Sequence, residues 1–290
     1  MPSFVSIEPS SVCNLACPEC AIGTHQTLRK ERGISLELYK KIIDEVKDYV
    51  FDVQLFFQGE PLINKNIDEM VKIARQSRVA TIISTNGMLL NADLSERFIK
   101  AGLDRLIVSI DGTTQEVYEK YRKGGNLDQI LENVKTLVEL KERLKSRFPI
   151  IECQMVVFKH NQHQVNEFKQ LSKTIGADLS TIKTAQIHDY EHKPEMIPDN
   201  EKYSRYVKRG GRWQLKKPLA NRCSRIYQGC VVNSDGKVMV CCFDKVPHFP
   251  VGDLNESPLS VIWNSDEFND FRAKVNSDRK SISICRNCSE

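Results

Sequence analysis

Apolar and polar positions alternate in two distinct ways along the first 185 residues of the chain. Short runs rich in Val, Ile and Phe, bounded by polar turns, are typical of buried β-strands. Between them, apolar residues recur every three or four positions, which predicts helices with one buried face. Six strand-and-helix units follow one another in this way. The predicted strands cover residues 4–8, 53–57, 80–85, 105–110, 150–158 and 178–183.

The helix boundaries agree with this division. Ser35 is a predicted N-cap of the first helix, and Gly102 is predicted to end the third. Apolar strands that alternate with amphipathic helices predict a parallel sheet covered by helices. Six units are two fewer than the eight of a complete barrel. The expected fold is therefore α/β, with a partial (β/α)6 TIM-like barrel.

Polar loops follow the first four predicted strands, at residues 10–20, 58–61, 85–87 and 109–112. In barrels of this kind, chemistry gathers at the carboxyl ends of the strands, where these loops meet. We therefore expect the four loops to form one site.

The rest of the chain has a different pattern. A β-hairpin is predicted over 231–240 with its turn at Asp235-Gly236, and Cys241 follows its second strand. Ser257-Pro258 is predicted to begin a short helix, and Ser265 to cap another that ends near Val275. The C-terminal unit is thus expected to be a small hairpin-plus-helix domain. The predicted division is 1–185 for the barrel, 186–222 for a basic linker and 223–290 for this unit.

Composition narrows the class of protein only slightly. With 40% hydrophobic and 28% charged residues, the 290-residue chain is an ordinary globular protein. No apolar run approaches the roughly 20 residues that cross a bilayer, and the N-terminus lacks the pattern of a secretory signal. We expect a cytoplasmic location and no membrane partner.

The ten cysteines are unevenly spaced. Three lie within residues 13–20, Cys153 stands alone, and six fall between 223 and 288. Without an export signal, disulfides are disfavoured. Two cysteine clusters separated by a nearly cysteine-free middle indicate two separate metal sites.

The first cluster has the spacing Cys13-x3-Cys17-x2-Cys20. Three cysteines on one loop can hold three corners of a cubane [4Fe–4S] cluster and leave its fourth iron open for chemistry. One alternative is a structural zinc site, for which His25 could supply the fourth ligand that zinc requires. Buried free thiols are the other alternative.

Four segments resemble radical S-adenosylmethionine (SAM) enzymes, and the resemblance extends over most of the chain. IEPSSVCNLACPEC is similar to the cluster-binding opening of that family, and FFQGEP at 56–61 is similar to its Gly-Gly-Glu motif. ISTNG at 83–87 and VSIDG at 108–112 match the loops after its third and fourth strands. The spacing between these segments also fits the family.

The resemblance implies a cofactor and a reaction. In the family, SAM binds the open iron through its amino nitrogen and carboxylate. An electron from the cluster then cleaves a sulfonium bond, giving methionine and a 5′-deoxyadenosyl radical that abstracts hydrogen from the substrate. By this resemblance Gly59 and Glu60 hold the methionine ammonium, while Asn86 and Ser109 contact the ribose or the methionine carboxylate. A turn asparagine and a strand-end serine are the structural alternatives for those two.

Two positions depart from the family pattern. Glu19 stands where the residue before the third cysteine is often aromatic, which puts the adenine contacts in doubt. Gln58 stands where glycine is usual, yet its backbone carbonyl can still serve the cofactor site.

The C-terminal cysteines resemble the auxiliary-cluster domain called twitch, a relative of the longer SPASM domain. The resemblance implies that Cys223, Cys241, Cys285 and Cys288 hold one further [4Fe–4S] cluster. Cys242 is the rival of Cys241, and Cys230 is spare. The chain has too few cysteines for the second auxiliary cluster of the longer pattern. Zinc is the alternative metal here as well.

Residues 202–222 contain eight Lys or Arg, no Asp or Glu, and three interleaved aromatic residues. A solvated, partly helical linker over the barrel mouth is the plainest interpretation. The segment could instead guide an anionic substrate, such as a phosphorylated or nucleotide-linked sugar. A nucleic-acid surface is disfavoured by the small net charge of +4.

These observations lead to one functional expectation. The chain is expected to be a radical SAM enzyme with one auxiliary cluster that oxidises a small molecule such as a sugar or cyclitol. Flavodoxin or ferredoxin is the expected electron donor, and no catalytic base can be named. Modification of a peptide or protein side chain is the alternative reaction. A non-catalytic two-cluster electron carrier and a zinc-based interaction module are alternatives of other classes.

Overall fold

The computed structural model describes residues 1–26 and 33–289. Six parallel strands lie side by side in chain order, each followed by helical structure, and they form the expected partial barrel. The second strand ends earlier than predicted, so that Phe56 and Phe57 belong to the loop after it. The strands are β1 (Phe4–Ile7), β2 (Asp52–Gln54), β3 (Ala80–Thr85), β4 (Arg105–Ser109), β5 (Ile150–Val157) and β6 (Leu179–Thr184).

The helices pack their apolar faces against the outside of this sheet. Ser35 accepts a hydrogen bond from the Leu38 amide at 3.1 Å, and Gly102 takes a left-handed φ of +83°, so both predicted helix boundaries are confirmed. The helices are α1 (Leu36–Val46), α2 (Ile67–Gln76), α3 (Ala92–Ala101), α4 (Gln115–Tyr121), α5 (Leu127–Arg143) and α6 (Val165–Thr174). No helix among the described residues is long and apolar enough to cross a membrane.

The two edges of the barrel sheet differ. β6 is an open edge, and its Leu179 is 45% exposed. At the other edge, β9 (Gly229–Val232) pairs in parallel with β1, and β10 (Lys237–Met239) and β11 (Pro250–Asp253) continue antiparallel. The predicted C-terminal hairpin is therefore present, but it extends the barrel sheet to nine strands rather than standing alone.

Two helices complete the C-terminal region. α7 (Leu259–Trp263) and α8 (Asp266–Asp278) follow β11, and Ser265 caps α8 by accepting from the Phe268 amide at 3.3 Å. α8 continues one turn past the predicted end at Val275. Lys41 of α1 donates to the Leu254 carbonyl at 2.7 Å, which fixes this region against the barrel.

The basic segment between barrel and C-terminal region has one short 3-10 turn at its start, Glu201–Tyr203, but its main element is a hairpin and not the helix that was expected. β7 (Tyr206–Arg209) and β8 (Arg212–Leu215) pair antiparallel across Gly210-Gly211. Both glycines have positive φ, +55° and +78°, which the favoured two-residue hairpin turns require. Apolar and polar residues alternate on either side of this turn, and such alternation is typical of β-strands.

Candidate active site

One cavity of about 420 Å³ opens at the carboxyl ends of the barrel strands. The predicted convergence of the strand-end loops on one site is what the structure shows. The cysteine loop follows β1, and loops after β2, β3 and β4 complete the wall. All eight residues predicted from the N-terminal motifs line it, namely Cys13, Cys17, Cys20, Gln58, Gly59, Glu60, Asn86 and Ser109.

The three cysteines present soft sulfur donors to this cavity, the donor type that iron–sulfur clusters use. Burial raises the pKa of the Cys13 thiol to about 11 and also raises that of Cys17. Within residues 1–26 and 33–289, no three His, Cys, Asp or Glu side chains come close enough together to hold a single metal ion.

Glu60 braces two strand-end loops from inside the wall. It is 2% exposed; one carboxylate oxygen accepts from the Leu62 amide at 3.0 Å and the Thr85 hydroxyl at 2.6 Å. The other oxygen accepts from the Asn86 amide at 2.8 Å. Burial raises the pKa of this carboxyl, and the three donors oppose that shift. The Glu60 carboxylate therefore already accepts three hydrogen bonds from the protein itself.

Gly59 lies where no side chain fits. Its φ is +71°, and a Cβ there would lie 2.2 Å from the Ser10 carbonyl oxygen. The next residue, Glu60, donates its amide to the Val12 carbonyl at 2.8 Å. The loop after β2 consequently packs backbone to backbone on the cysteine loop, an approach that only glycine permits.

Asn86 and Ser109 differ in how much of each side chain is available. The Asn86 amide nitrogen donates to Asn14 Oδ1 at 2.8 Å and lies 3.8 Å from Cys13 Sγ, while its oxygen accepts from the Met88 amide at 3.0 Å. Ser109 and its β5 neighbour Gln154 line the cavity, and neither side chain has a hydrogen-bond partner among the described residues. These two are free to bind a ligand.

The two positions that depart from the family pattern both touch the cysteine loop. Gln58 places its side-chain oxygen 3.9 Å from Cys20 Sγ. Glu19 accepts from the His188 amide at 2.7 Å and lies 3.0 Å from His188 Nδ1. Burial opposes the effect, but these contacts lower the pKa of Glu19. Glu19 thus joins the cysteine loop to the segment after β6.

Sequence reasoning missed an ion pair beside the cysteines. Asp111, fully buried, accepts from Arg122 Nε at 2.6 Å and from the Val156 amide at 2.7 Å. Arg122 Nη1 in turn lies 4.0 Å from Cys17 Sγ. Asp111 belongs to the VSIDG motif at 108–112 and could be noted from the sequence. Its contact with Arg122 could not, because Arg122 follows α4 and depends on how that helix packs.

Lys245 was also missed, and the sequence carried no signal for it. It follows β10 and reaches the same cavity from the C-terminal region. It has no hydrogen bond or ion pair in the described part of the chain. Burial lowers its pKa, and the nearby thiols of Cys20 and Cys242 and the carboxylate of Glu19, which lines the same cavity, oppose that shift. A third polar side chain without a hydrogen-bond partner among the described residues, this one cationic, thereby faces the cavity.

The C-terminal cysteines form a separate cluster. Cys223, Cys241, Cys285 and Cys288 line one narrow cavity between β10, α8 and the C-terminal turn, and Cys242 is not among its lining residues. This arrangement favours Cys241 over Cys242 as the fourth ligand. Cys230 lies in β9 opposite Val5, in the hydrophobic core. Cys153 is likewise buried in β5.

The aromatic residues of the basic segment pack into the protein. Tyr206 and Trp213 belong to a small hydrophobic cluster with Phe158 and Ile187. The Tyr206 hydroxyl is 2.7 Å from Asn287 Oδ1, between two of the C-terminal cysteines. The charged side chains at the hairpin tip remain exposed. These aromatic rings therefore secure the hairpin instead of offering a stacking surface.

Comparison with protein families gives two matches. The model of the Radical SAM superfamily matches residues 7–170, and that of an iron–sulfur cluster-binding domain, SPASM, matches residues 223–289. The first match covers more than half of the 290 residues. The chain belongs to the radical SAM superfamily.

Individual relatives agree with this assignment. The S-adenosyl-L-methionine-dependent 2-deoxy-scyllo-inosamine dehydrogenase of Niallia circulans is 25% identical over 99% of this chain and 92% of its own length. The crystal structure of BtrN in complex with AdoMet and 2-DOIA is similar in fold, with a TM-score of 0.60, 20% identity and coverage of 100% and 94%. Streptococcus suis SuiB bound to precursor peptide SuiA gives a TM-score of 0.66, 16% identity and coverage of 99% and 71%.

Membership of the family settles the class and the cofactors. The protein is an enzyme that uses SAM and two [4Fe–4S] clusters, one of them in a SPASM-type domain. The expected class, fold and cofactors are confirmed. The alternatives of a zinc-based module and of a non-catalytic electron carrier are thereby set aside.

Proposed function

We propose that this enzyme oxidises a polar small molecule, such as a sugar or cyclitol, that carries an anionic group. The observation that carries the proposal is the set of polar side chains left unpaired in the cavity. Ser109, Gln154 and Lys245 line it without hydrogen-bond partners among the described residues. Such groups are costly to desolvate unless a ligand pairs with them, so they indicate a polar ligand with negative charge near Lys245.

The ligand assignments follow the two cysteine groups. Cys13, Cys17 and Cys20 would hold the first cluster, and Cys223, Cys241, Cys285 and Cys288 the auxiliary one. Bound together with SAM, the two clusters supply hydrogen abstraction from an unactivated carbon and an acceptor for the second electron. The protein contributes position, charge and exclusion of water.

The proposed SAM-binding groups lie on the wall nearest the cysteines. The backbone carbonyls of Gln58 and Gly59 are acceptors for the methionine ammonium, and Glu60 adds negative charge through its buried carboxylate. Asn86 and Ser109 are proposed to contact the ribose or the methionine carboxylate. Of these, Ser109 is the more available, because Asn86 already bonds to Asn14 and Met88.

Substrate is proposed to bind on the opposite side of the cavity, between β5 and the C-terminal region. Gln154 supplies an amide for a hydroxyl group, and Lys245 supplies a cation for a phosphate or carboxylate. The similarity to the inosamine dehydrogenase over nearly its whole length supports an oxidation of this kind.

Modification of a peptide or protein side chain is the second candidate. The likeness in fold to SuiB bound to a precursor peptide supports it. In either case we propose a cytoplasmic enzyme that receives electrons from flavodoxin or ferredoxin.

Isotope transfer distinguishes the two candidates. Reduced enzyme and SAM are incubated with deuterated cyclitols and sugar phosphates, or with deuterated peptides, and 5′-deoxyadenosine is analysed by mass spectrometry. We expect 5′-deoxyadenosine to carry deuterium only when cyclitols or sugar phosphates are the labelled compounds. The product of that reaction should have lost two hydrogen atoms. Deuterium transfer from peptides alone would refute the small-molecule proposal.

The role of Lys245 has its own test. Once a substrate is found, Lys245→Met should raise KM for it at least about tenfold, the loss of roughly 1.4 kcal/mol of binding, with kcat little changed. Lys208→Met, at the exposed hairpin tip, is the matched control and should leave KM unchanged. Equal KM values for Lys245→Met and the parent enzyme would contradict an anionic substrate at this position.

A further inference from the structure

Arg279 occupies an unusual place beside the auxiliary cysteines. It directly follows α8 and is only 1% exposed, although arginine is almost never fully buried without partners. Its side chain helps to line the narrow cavity that Cys223, Cys241, Cys285 and Cys288 share. A guanidinium that is buried in this way requires hydrogen bonds or negative charges from the neighbouring groups.

The described contacts of Arg279 are of two kinds. Nη1 donates to the Arg222 carbonyl at 2.6 Å, and the backbone amide of Arg279 donates to Asn221 Oδ1 at 3.1 Å. Nη2 donates to Cys288 Sγ at 3.2 Å. The side chain therefore connects the loop that carries Cys223 with the turn that carries Cys288, and it aims one N–H at a sulfur.

Arg279 lines the cavity of the four cysteines, and its guanidinium therefore places a positive charge beside the sulfurs proposed to hold the cluster. Hydrogen bonds to cysteine sulfur and nearby charge are two of the factors that set the potential of an iron–sulfur cluster. A fixed cation stabilises the more negative, reduced state of a cluster more than the oxidised state.

We propose that Arg279 is a positioning residue of the auxiliary site that raises the reduction potential of the cluster through its charge and its hydrogen bond to Cys288. The proposal deepens the proposed function and rests on its ligand assignment for that site. A higher potential suits an auxiliary cluster that takes an electron from an oxidised substrate.

Arg272, in the preceding helix α8, provides a matched control. It is 8% exposed and also donates to backbone carbonyls, those of Trp263 at 2.9 Å and Ile226 at 3.3 Å. Its guanidinium lies 4.0 Å from the Phe268 ring centroid, so its surroundings are aromatic and not the ligating sulfurs. Replacement of Arg272 tests the loss of a buried arginine without loss of the sulfur contact.

The experiment measures the auxiliary cluster alone and needs no substrate. In full-length Cys17→Ala protein, prepared anaerobically, iron content and a potentiometric titration followed by electron paramagnetic resonance are compared for the parent, Arg279→Gln, Arg279→Lys and Arg272→Gln. Arg279→Gln should change the reduction equilibrium about tenfold, a shift of about 59 mV to more negative potential for one electron. Arg279→Lys should shift less, and Arg272→Gln should not shift.

Each result decides the proposal. An unchanged potential in Arg279→Gln, or an equal shift in Arg272→Gln, overturns it. If Arg279→Gln retains no cluster, the decision passes to Arg279→Met, which removes both the charge and the hydrogen-bond donor but keeps an unbranched side chain; a potential equal to that of the parent then overturns the proposal. Absence of any auxiliary cluster in the parent protein would instead contradict the ligand assignment.

Discussion

The two cysteine sites use the same ligand type in opposite surroundings. The first lies on a single loop at the ends of the barrel strands and faces a cavity of about 420 Å³ with unpaired polar groups. The second draws its cysteines from three separate segments that share a narrow cavity, and two of them, Cys223 and Cys288, also line a wider cavity of about 590 Å³ beside it. The first site, with three cysteines, is thus suited to bind SAM and substrate, whereas the second gathers four cysteine sulfurs, the number that closes a cluster used for electron transfer.

The arginine beside each site extends this difference. Arg122 lies 4.0 Å from Cys17 Sγ, and its charge is matched by the buried carboxylate of Asp111 at 2.6 Å. Arg279 is closer to sulfur, 3.2 Å from Cys288 Sγ, and lines the cavity that the four C-terminal cysteines share. The cation beside the first cysteines is thus paired with a carboxylate, whereas the proposal for the second site gives the cluster a cation that donates a hydrogen bond to one of its ligands.

Loss of one cysteine at each site should have the largest effects and separate the two roles. Cys17→Ala should reduce the formation of 5′-deoxyadenosine to background, because the cluster with the open iron is lost. Cys288→Ala should still cleave SAM but form no oxidised product. Each variant should retain about four irons per chain. Iron analysis and chromatography of 5′-deoxyadenosine check this, with Cys153→Ala as the control. Full cleavage activity in Cys17→Ala would contradict the assignment of the first site.

The next effect concerns the fourth ligand of the second site. Cys241→Ala should lose about four irons per chain, and the adjacent Cys242→Ala should lose none, because only Cys241 lines the shared cavity. The measurement is the iron content of both variants in the Cys17→Ala background. The reverse result would transfer the ligand role to Cys242.

Asp111→Asn should break the charge balance at the first site. Removal of one partner from a buried ion pair costs about 3–5 kcal/mol, since the Arg122 cation is left uncompensated. Anaerobic urea unfolding measures this loss. Asp93→Asn is the control, because Asp93 pairs with Arg97 on the exposed surface and should change stability by less than about 1 kcal/mol. Equal stability losses in the two variants would show that burial of the pair is unimportant.

A smaller effect tests the backbone contact between the cysteine loop and the loop after β2, which has no counterpart at the second site. Gly59→Ala and Gly211→Ala both replace a glycine of positive φ, but a Cβ at 59 meets the Ser10 carbonyl whereas one at 211 meets nothing within 4 Å. Both should lose about 1 kcal/mol to the backbone conformation. Gly59→Ala should lose a further ~1–3 kcal/mol to the clash and bind SAM more weakly. Thermal unfolding and SAM titration measure both; equal effects in the two variants would argue against the close packing.

Much of the first site could be predicted because its parts are local. The Cys13–Cys20 spacing, Gly59-Glu60 and Asn86-Gly87 each lie within a few residues, and each follows a strand that apolar runs made visible. The ends of parallel strands then had to meet at one edge of the sheet. The function of Glu60 as an internal brace was not visible, because its donors at Thr85 and Asn86 come from the next loop.

The sequence by itself determined the class of fold and the two groups of cysteines, since periodicity and spacing are properties of short segments, and its resemblance to radical SAM enzymes implied the cofactors. Tertiary structure alone decided that β9 would join β1, that Lys245 would enter the cavity, and which arginine would face which sulfur. These contacts connect residues far apart in the chain. They depend on the closing of the sheet and the packing of α8, which no local pattern encodes.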